Sequence, residues 1–265
     1  MRWLRGGVLL LVLLLAWGPV VFLLLASFAP GTDFNVSFSN RSVNAYTSIL
    51  GLSGVGSILL LTLTVTVATA VLTVVIATPA AYAFARYRSR ASMLAANSLL
   101  LSWILPQSLI AIAYFQLVAQ LNLYGKPEIL VFFGLLQTVP LSVWVLRSAF
   151  ANIPTELDES AFLDGAGMTR FLTTILVPIS MPSIAAVCGY SFLLAWQMYL
   201  YPLVFLSGAK TQMATVGVVN FVGEWSTNYP EMMAFSVIIT VPVMVVFMLV
   251  QRYIVTGLTA GAVIG

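Results

Sequence analysis

The segment 54–85 reads GVGSILLLTLTVTVATAVLTVVIATPAAYAFA and contains no charged side chain. A membrane-crossing helix needs about 20 mostly apolar residues, so this segment is long enough to cross a bilayer with a tilt or a projecting end. The whole chain has this character, because 61% of its 265 residues are hydrophobic and 7% are charged, whereas a soluble domain carries about 25% charged residues. This composition excludes a soluble enzyme, a disordered chain and a nucleic-acid-binding domain, and it indicates an integral membrane protein.

Five further segments are apolar enough to cross a membrane or come close to it. They are 7–29, 91–119, 129–146, 183–206 and 231–251. We interpret the first of these as a retained helix, because no convincing signal-peptide cleavage site follows it. Pro106-Gln107 predicts a kink or break within the second. We therefore expect an all-α membrane protein with six transmembrane helices, built as a single domain over residues 1–265.

Basic residues near the ends of the spans indicate which side of the membrane is cytoplasmic. With the N-terminus inside, the cytoplasmic positive residues are Arg2, Arg5, Arg86, Arg88, Arg90, Arg147, Arg170 and Arg252. The external positive residues are then Arg41, Lys126 and Lys210. The excess on the cytoplasmic side predicts that both termini lie in the cytoplasm.

Residues that commonly carry catalysis or bind metals are scarce in this sequence. There is no His and a single Cys, Cys188, which excludes His-based catalysis, His metal sites and an internal disulfide. A phosphate-binding loop is also absent, because Gly125-Lys126 is followed by Pro127 and lacks the upstream Gly. We expect no enzymatic activity, metal or cofactor in this chain, so any nucleotide chemistry must come from another subunit.

Residues 148–182 form the longest segment expected on the cytoplasmic side. The start at Pro154–Glu156 and the glycine at Gly165 are typical of a helix beginning and end, and they predict a short helix over 156–163. A second helix is predicted by an apolar stripe at helical spacing: Met168, Phe171, Leu172, Ile175 and Leu176. Such a stripe either packs against the chain's own helices or lipid, or docks into a groove of a soluble partner. The acidic residues of this loop argue against contact with an anionic lipid surface.

The loop carries Glu159-Ser160-Ala161, then Gly165, then Ile175, then Val177-Pro178 at a specific spacing. This pattern resembles the EAA loop of permeases in ATP-binding-cassette (ABC) importers, which reads Glu-Ala-Ala, three residues, Gly, nine residues, Ile, one residue and Leu-Pro. Ser160 and Val177 depart from that pattern. Asp164-Gly165-Ala166 is similar to the Asp-Gly-Ala of the sugar-importer branch.

Three further segments are similar to the carbohydrate branch of this family, of the maltose and glycerol-phosphate type. They are PAAYAFAR at 79–86, WQMYLYPL at 196–203 and the tail GLTAGAVIG at 257–265. Gln197 stands where the family has Asn, and Ile264 stands where the family tail has Lys. The first two spans match mainly in hydropathy.

The resemblance implies the type I importer permease fold, in a bacterial inner membrane, with this chain forming half of the translocation pathway. The implied partners are a second homologous permease, two ATPase subunits that hold ATP and Mg, an extracytoplasmic solute-binding protein and membrane lipid. ATP-driven movement of the docked segment 156–176 then alternates access to the pathway. The residues expected to couple the chain to the ATPase are Glu159, Ala161, Asp164, Gly165, Met168, Arg170, Phe171 and Leu172.

Sugars are bound by hydrogen-bonding groups and aromatic faces, and several uncharged residues within the spans offer both. The candidates for the substrate pathway are Gln107, Tyr114, Gln137, Tyr190, Trp196, Gln197 and Tyr199. A further face of hydroxyl groups is predicted in the second span, formed by Thr62, Thr66, Thr69 and Thr73. Side chains of this kind also form hydrogen bonds between helices without touching a substrate.

Two alternatives stay open on the sequence alone. A non-sugar solute such as glycerol phosphate is handled by similar permeases. An ion-coupled secondary transporter is the other alternative, although proton coupling commonly uses ionisable residues within the membrane, and the spans carry charges only at their edges.

Overall fold

The computed structural model describes residues 2–31, 41–87, 89–207, 212–222 and 227–260. The predictions made above for Arg88, Lys210 and the end of the tail from Gly261 lie outside the described residues. The described elements are helical, apart from an isolated bridge between Val222 and Thr227. The prediction of an all-α protein is therefore confirmed.

The helices follow one another with short connections. In chain order, the described α-helices are α1 (Arg2–Ala26), α2 (Asn44–Gly51), α3 (Val55–Arg86), α4 (Arg90–Ile104), α5 (Gln107–Gln120), α6 (Glu128–Ala151), α7 (Glu156–Leu163), α8 (Met168–Phe171), α9 (Val177–Ile179), α10 (Met181–Trp196), α11 (Leu200–Phe205), α12 (Ala214–Gly217) and α13 (Tyr229–Ala260). A π-helical turn, Leu172–Leu176, joins α8 to α9, and a 3₁₀ turn, Val218–Phe221, follows α12.

Four helical stretches are long and apolar enough to cross a membrane by themselves. They are Gly6–Ala26, Val55–Arg86, Glu128–Ala151 and Tyr229–Tyr253. Two bent pairs, Arg90–Ile104 with Gln107–Gln120 and Met168–Ile179 with Met181–Trp196, raise the number to six when each pair counts as one span. The described residues therefore hold four to six candidate spans, a range that includes the six expected crossings. The pair that ends with α10 reaches span length only together with residues 168–179, which we expect in the cytoplasmic loop.

The expected break at Pro106 is confirmed, and it is large. Helices α4 and α5 meet at 96°. The helix ends here because Pro106 has no N–H to continue it and its ring forces Leu105 into an extended conformation with ψ 132°. The predicted continuous span 183–206 is wrong, because α10 ends at Trp196 and α11 begins only at Leu200. Pro202 explains this second break, since it suits the first turn of a new helix and cannot donate to a continuing one.

The chain divides into two compact units, Met1–Leu60 with Thr211–Val243, and Leu61–Lys210 with Met244–Gly265. The expectation of a single domain stays a prediction. In the first unit, Ile49 and Phe235 are buried in a small apolar core. Ser48 Oγ donates to Glu231 Oε1 over 2.7 Å and fixes α2 beside the start of α13.

In the second unit, the predicted threonine face of α3 is buried. Thr62, Thr66, Thr69 and Thr73 have no exposed surface. Thr73 Oγ1 lies 2.6 Å from Thr138 Oγ1 of α6, and Gly134 of α6 faces Thr69 so closely that a Cβ there would lie 2.7 Å from its methyl carbon. Thr69 and Thr73 therefore pack α3 against α6, as small and hydroxylated residues commonly do between helices within membranes.

Candidate functional site

The first part of the candidate site is the loop between α6 and α10. Helix α7 spans Glu156–Leu163, as the sequence predicts. Gly165 then takes a φ of +78°. Its N–H donates to the Phe162 carbonyl and the Ala166 N–H donates to the Ala161 carbonyl, both over 3.0 Å. This pair of bonds is the Schellman motif, which ends a helix and requires the left-handed conformation that glycine adopts without strain.

Asp158, in the first turn of α7, is buried against the last turn of α3. Arg86 donates two hydrogen bonds to the Asp158 carboxylate, from Nε to Oδ2 over 2.6 Å and from Nη2 to Oδ1 over 3.0 Å. The Tyr82 hydroxyl donates to Oδ2 over 2.8 Å. The side chains of the ion pair are only 12% and 9% exposed. A bidentate pair of this kind fixes the orientation of both groups as well as their distance.

Arg86 also reaches the end of α6. Its Nη1 donates to the carbonyl oxygens of Phe150 over 3.2 Å and Ile153 over 3.1 Å. These carbonyls lie where α6 ends, and helix ends leave carbonyl groups in need of donors. One guanidinium therefore joins the ends of α3 and α6 to α7.

The apolar stripe of the second loop helix turns largely inward. Phe171 and Leu176 are fully buried, and the Phe171 ring lies between Tyr82 and Phe162 at centroid distances of 5.5 and 5.4 Å. The same core includes Ala161 of α7. Phe171 is among the residues expected to couple the chain to an ATPase, but its side chain has no accessible surface, so it does not offer an apolar contact to a docking partner.

The exposed apolar surface of the loop lies instead at the turn between its two helices. Leu163 is 88% exposed and Met168 is 44% exposed. Polar residues of the predicted coupling set are exposed on either side of this turn: Glu159, Asp164 and Arg170. Leu172 is half-buried against the core. The roles of all these residues toward an ATPase stay predictions.

The loop returns to the membrane helices through a sharp bend. The helical stretch 168–179 meets α10 at 87°, and Ser180 at the bend is buried with a hydroxyl that has no hydrogen-bond partner among the described residues. Pro178 and Pro182 flank this bend. The π-helical turn just before it is a form that occurs often at functional sites.

The second part of the candidate site is a cavity of about 520 Å³ beside the two helix breaks. Four of the seven predicted pathway residues line it: Gln107, Gln137, Gln197 and Tyr199. Gln107 begins α5 directly after the break at Pro106, whereas Gln197 and Tyr199 lie in the break between α10 and α11. Amide groups from three separate helical regions therefore meet around one space.

The other three predicted pathway residues lie elsewhere. Tyr114 packs edge-on against Phe132 and Phe133. Trp196 is buried and stacks on Phe192 at 5.6 Å between ring centroids. Tyr190, like Tyr114 and Trp196, does not line the cavity. The cavity therefore does not support the expectation that these three residues share one pathway surface with the other four.

Sequence reasoning missed three polar or aromatic residues that line the cavity: Ser102, Trp103 and Tyr201. Tyr201 is fully buried, stacks on Phe133 with centroids 4.4 Å apart, and its hydroxyl has no hydrogen-bond partner among the described residues. Its position next to Pro202 in the segment 196–203 was a usable signal, because that segment had already been singled out.

Comparison with known proteins places these features in one family. Residues 74–259 match the family described as "Binding-protein-dependent transport system inner membrane component". The trehalose/maltose transport system permease protein MalG of Thermococcus litoralis is 34% identical over 187 residues, which cover 70% of this chain and 67% of that protein. The melibiose/raffinose/stachyose import permease protein MelC of Bacillus subtilis is 28% identical over 236 residues, which cover 88% of this chain and 80% of that protein.

A solved structure has a similar fold. It is the crystal structure of a bacterial ABC transporter involved in the import of the acidic polysaccharide alginate, and one of its chains superposes with a TM-score of 0.76 at 20% identity, covering 94% of this chain and 95% of that chain. This supports the type I importer permease fold. The family match includes the whole loop between α6 and α10 as well as α4, α5 and α6. The protein belongs to the family of binding-protein-dependent transport system inner membrane components, the membrane-spanning permeases of ABC importers.

Proposed function

We propose that this chain is one of two permease subunits of an ATP-driven sugar importer and forms half of its membrane pathway. The relatives named above as permeases for trehalose and maltose or for melibiose, raffinose and stachyose support sugars as the substrate class. The observation that carries the proposal is the loop of α7 and α8, in which the residues of the EAA signature form a capped helix with an exposed turn.

The implied assembly has four other components. They are a second homologous permease, two cytoplasmic ATPase subunits and an extracytoplasmic solute-binding protein. ATP and Mg belong to the ATPase subunits, and this chain contributes no group to the hydrolysis step. Its own task is mechanical, because the exposed turn around Leu163 and Met168 offers an apolar contact bordered by charged residues, which suits a groove on a soluble partner.

The cavity at the helix breaks is the proposed part of the pathway that contacts the sugar. Its volume lies within the range of about 300 to 1,000 Å³ that is usual for small-molecule sites. Three amide side chains and the aromatic rings of Trp103 and Tyr199 offer hydrogen bonds and flat apolar faces, which sugars use together. The described lining residues carry no charge, and this favours a neutral sugar over an anionic solute such as glycerol phosphate.

Uptake by the complete importer tests the proposed function. The chain is expressed with its second permease, ATPase and binding protein, and the purified assembly is reconstituted into vesicles with ATP. We expect ATP-dependent accumulation of a labelled neutral sugar, and none when the phosphate-binding lysine of the ATPase is replaced. Accumulation that continues with the inactive ATPase contradicts the proposal and favours an ion-coupled transporter. ATP-dependent uptake of glycerol phosphate without sugar uptake assigns the other substrate class.

The cavity has its own test in the same vesicles. Gln137→Ala and Gln197→Ala remove amide groups from the cavity wall, whereas Gln120→Ala removes an exposed amide at the end of α5, outside the cavity. We expect the first two variants to raise the sugar concentration needed for half-maximal uptake and the third to leave it unchanged. If all three variants have the same sugar concentration for half-maximal uptake, the proposal that the cavity belongs to the pathway is contradicted.

A further inference from the structure

Helix α7 is tied to the rest of its own chain by short connections and by one buried ionic contact. The chain reaches α7 from α6 through residues 152–155 and leaves it through 164–167. Neither connection leads directly to α3, which precedes α7 by about 70 residues. The contact between α7 and the end of α3 is therefore made by side chains, namely Asp158 with Arg86 and Tyr82.

The chemistry of this contact differs from that of the surrounding core. Apolar side chains such as Phe171 and Ala161 pack against α3 without directional bonds, so they can slide over it when α7 moves. The carboxylate of Asp158 accepts three hydrogen bonds, and each of its two oxygens is held. Charge-assisted bonds in a bidentate arrangement resist both sliding and rotation.

Arg86 extends this contact to a third element. The same guanidinium that holds Asp158 also donates to the carbonyls of Phe150 and Ile153, so the end of α6 is fixed in the same group of bonds. Burying an ion pair is costly, and an apolar pair of similar volume commonly stabilises a protein as well or better. Stability alone therefore gives no reason for an ion pair at this position.

We infer that Arg86, Asp158 and Tyr82 form a rigid joint that transfers movement of α7 to the ends of α3 and α6 during transport. This inference rests on the proposed function, because it concerns how ATP-driven movement at the loop reaches the spans. Arg86 and Asp158 are positioning residues in this sense, since neither is assigned a contact with substrate or nucleotide.

The test separates a joint from a purely stabilising pair. Asp158→Asn keeps the size of the side chain and removes its charge. The combination of Tyr82→Phe, Arg86→Met and Asp158→Leu replaces the whole polar group by apolar side chains, which are expected to pack and assemble. Arg90→Gln is the matched control, because Arg90 is exposed at the start of α4, four residues after Arg86.

Each reconstituted complex is measured for assembly, ATP hydrolysis and sugar taken up per ATP hydrolysed. We expect the apolar triple variant and Asp158→Asn to hydrolyse ATP at near the wild-type rate, with sugar uptake per ATP reduced roughly fivefold or more, as in the loss of an ordinary coupling between two sites. Arg90→Gln is expected to match the wild type in every measurement.

The inference is overturned if assembled triple variant takes up as much sugar per ATP as the wild type. It is also overturned if losses of uptake only follow losses of assembled complex, or if neither variant assembles, because the group then serves folding alone. Absence of ATP-dependent uptake by the wild-type complex contradicts the proposed function itself, and the inference with it.

Discussion

Gly165 is a residue whose structural role could be predicted from the sequence alone. The helix start at Pro154–Glu156 and the helix end at Gly165 are local signals, and the structure has α7 over Glu156–Leu163 with Gly165 at a φ of +78°. Asp158 shows the opposite case. The sequence gives several acidic residues in this loop, but which of them is buried depends on Arg86, whose partner only the tertiary structure reveals.

The cost of a side chain at Gly165 can be measured by comparing alanine substitutions at Gly165 and at Gly167. A Cβ at either position meets no atom within 4 Å, but Gly167 has an ordinary φ of −72°. We expect Gly165→Ala to destabilise the loop by about 1–2 kcal/mol, the cost of a left-handed conformation. Gly167→Ala is expected to cost clearly less, because the φ of Gly167 suits alanine and the substitution only weakens the N-cap of α8.

Melting temperatures of the purified variants in detergent decide between these outcomes. Equal melting temperatures for the two variants would contradict the assigned role of Gly165.

Gly165→Pro also removes the N–H that donates to the Phe162 carbonyl, so we expect this variant to uncouple ATP hydrolysis from sugar uptake.

At the scale of helices, α3 and α6 pack through small and hydroxylated residues. The run of threonines was visible in the sequence as one helical face, and its burial follows from the apolar surroundings, in which hydroxyl groups need partners. The sequence did not show which helix packs against this face, because no pattern distinguishes Gly134 and Thr138 of α6 from other small or polar residues of the apolar segments. The break at Pro106 was predictable from its missing N–H, whereas the 96° angle was not, since packing against neighbouring helices sets it.

The close approach at Gly134 gives a prediction for this pair of helices. Gly134→Ala places a methyl group 2.7 Å from the Thr69 methyl carbon and 2.8 Å from its hydroxyl oxygen, so we expect a destabilisation of about 1–3 kcal/mol from overpacking. Thr69→Ala removes both of these atoms, and Gly134→Ala in that background is expected to cost clearly less. Additive losses in this double-mutant cycle, measured by thermal unfolding in detergent, would rule out the contact.

For the whole molecule, the class and the family were accessible from the sequence, because span lengths, charge scarcity and the spacing of the loop residues are each readable along the chain. The cavity was only partly accessible. Gln107, Gln137, Gln197 and Tyr199 were named for their chemistry, but the bends that bring them together, and that leave Tyr190 and Trp196 elsewhere, result from tertiary packing.

The predicted orientation of the molecule in the membrane can be tested by labelling single cysteines. In a Cys188→Ser background, Thr155→Cys places a thiol in the loop expected to be cytoplasmic, and Lys126→Cys places one in a loop expected to be external; both positions are exposed. A membrane-impermeant maleimide added to intact spheroplasts should label the second variant and spare the first. The reverse pattern would invert the topology derived from the basic residues.

The bonds of Arg86 also limit how freely parts of such permeases can be exchanged. A chimaera that takes residues 154–178 from a relative receives that relative's residue at the position of Asp158, but it keeps Arg86 of the host. Where the new residue is not an acid, the graft leaves the Arg86 guanidinium half-buried without its counter-charge, and breaking a buried ion pair in this way costs about 3–5 kcal/mol. The loop that we propose as the ATPase contact is therefore not an independent unit, and a successful exchange has to include the last turn of α3.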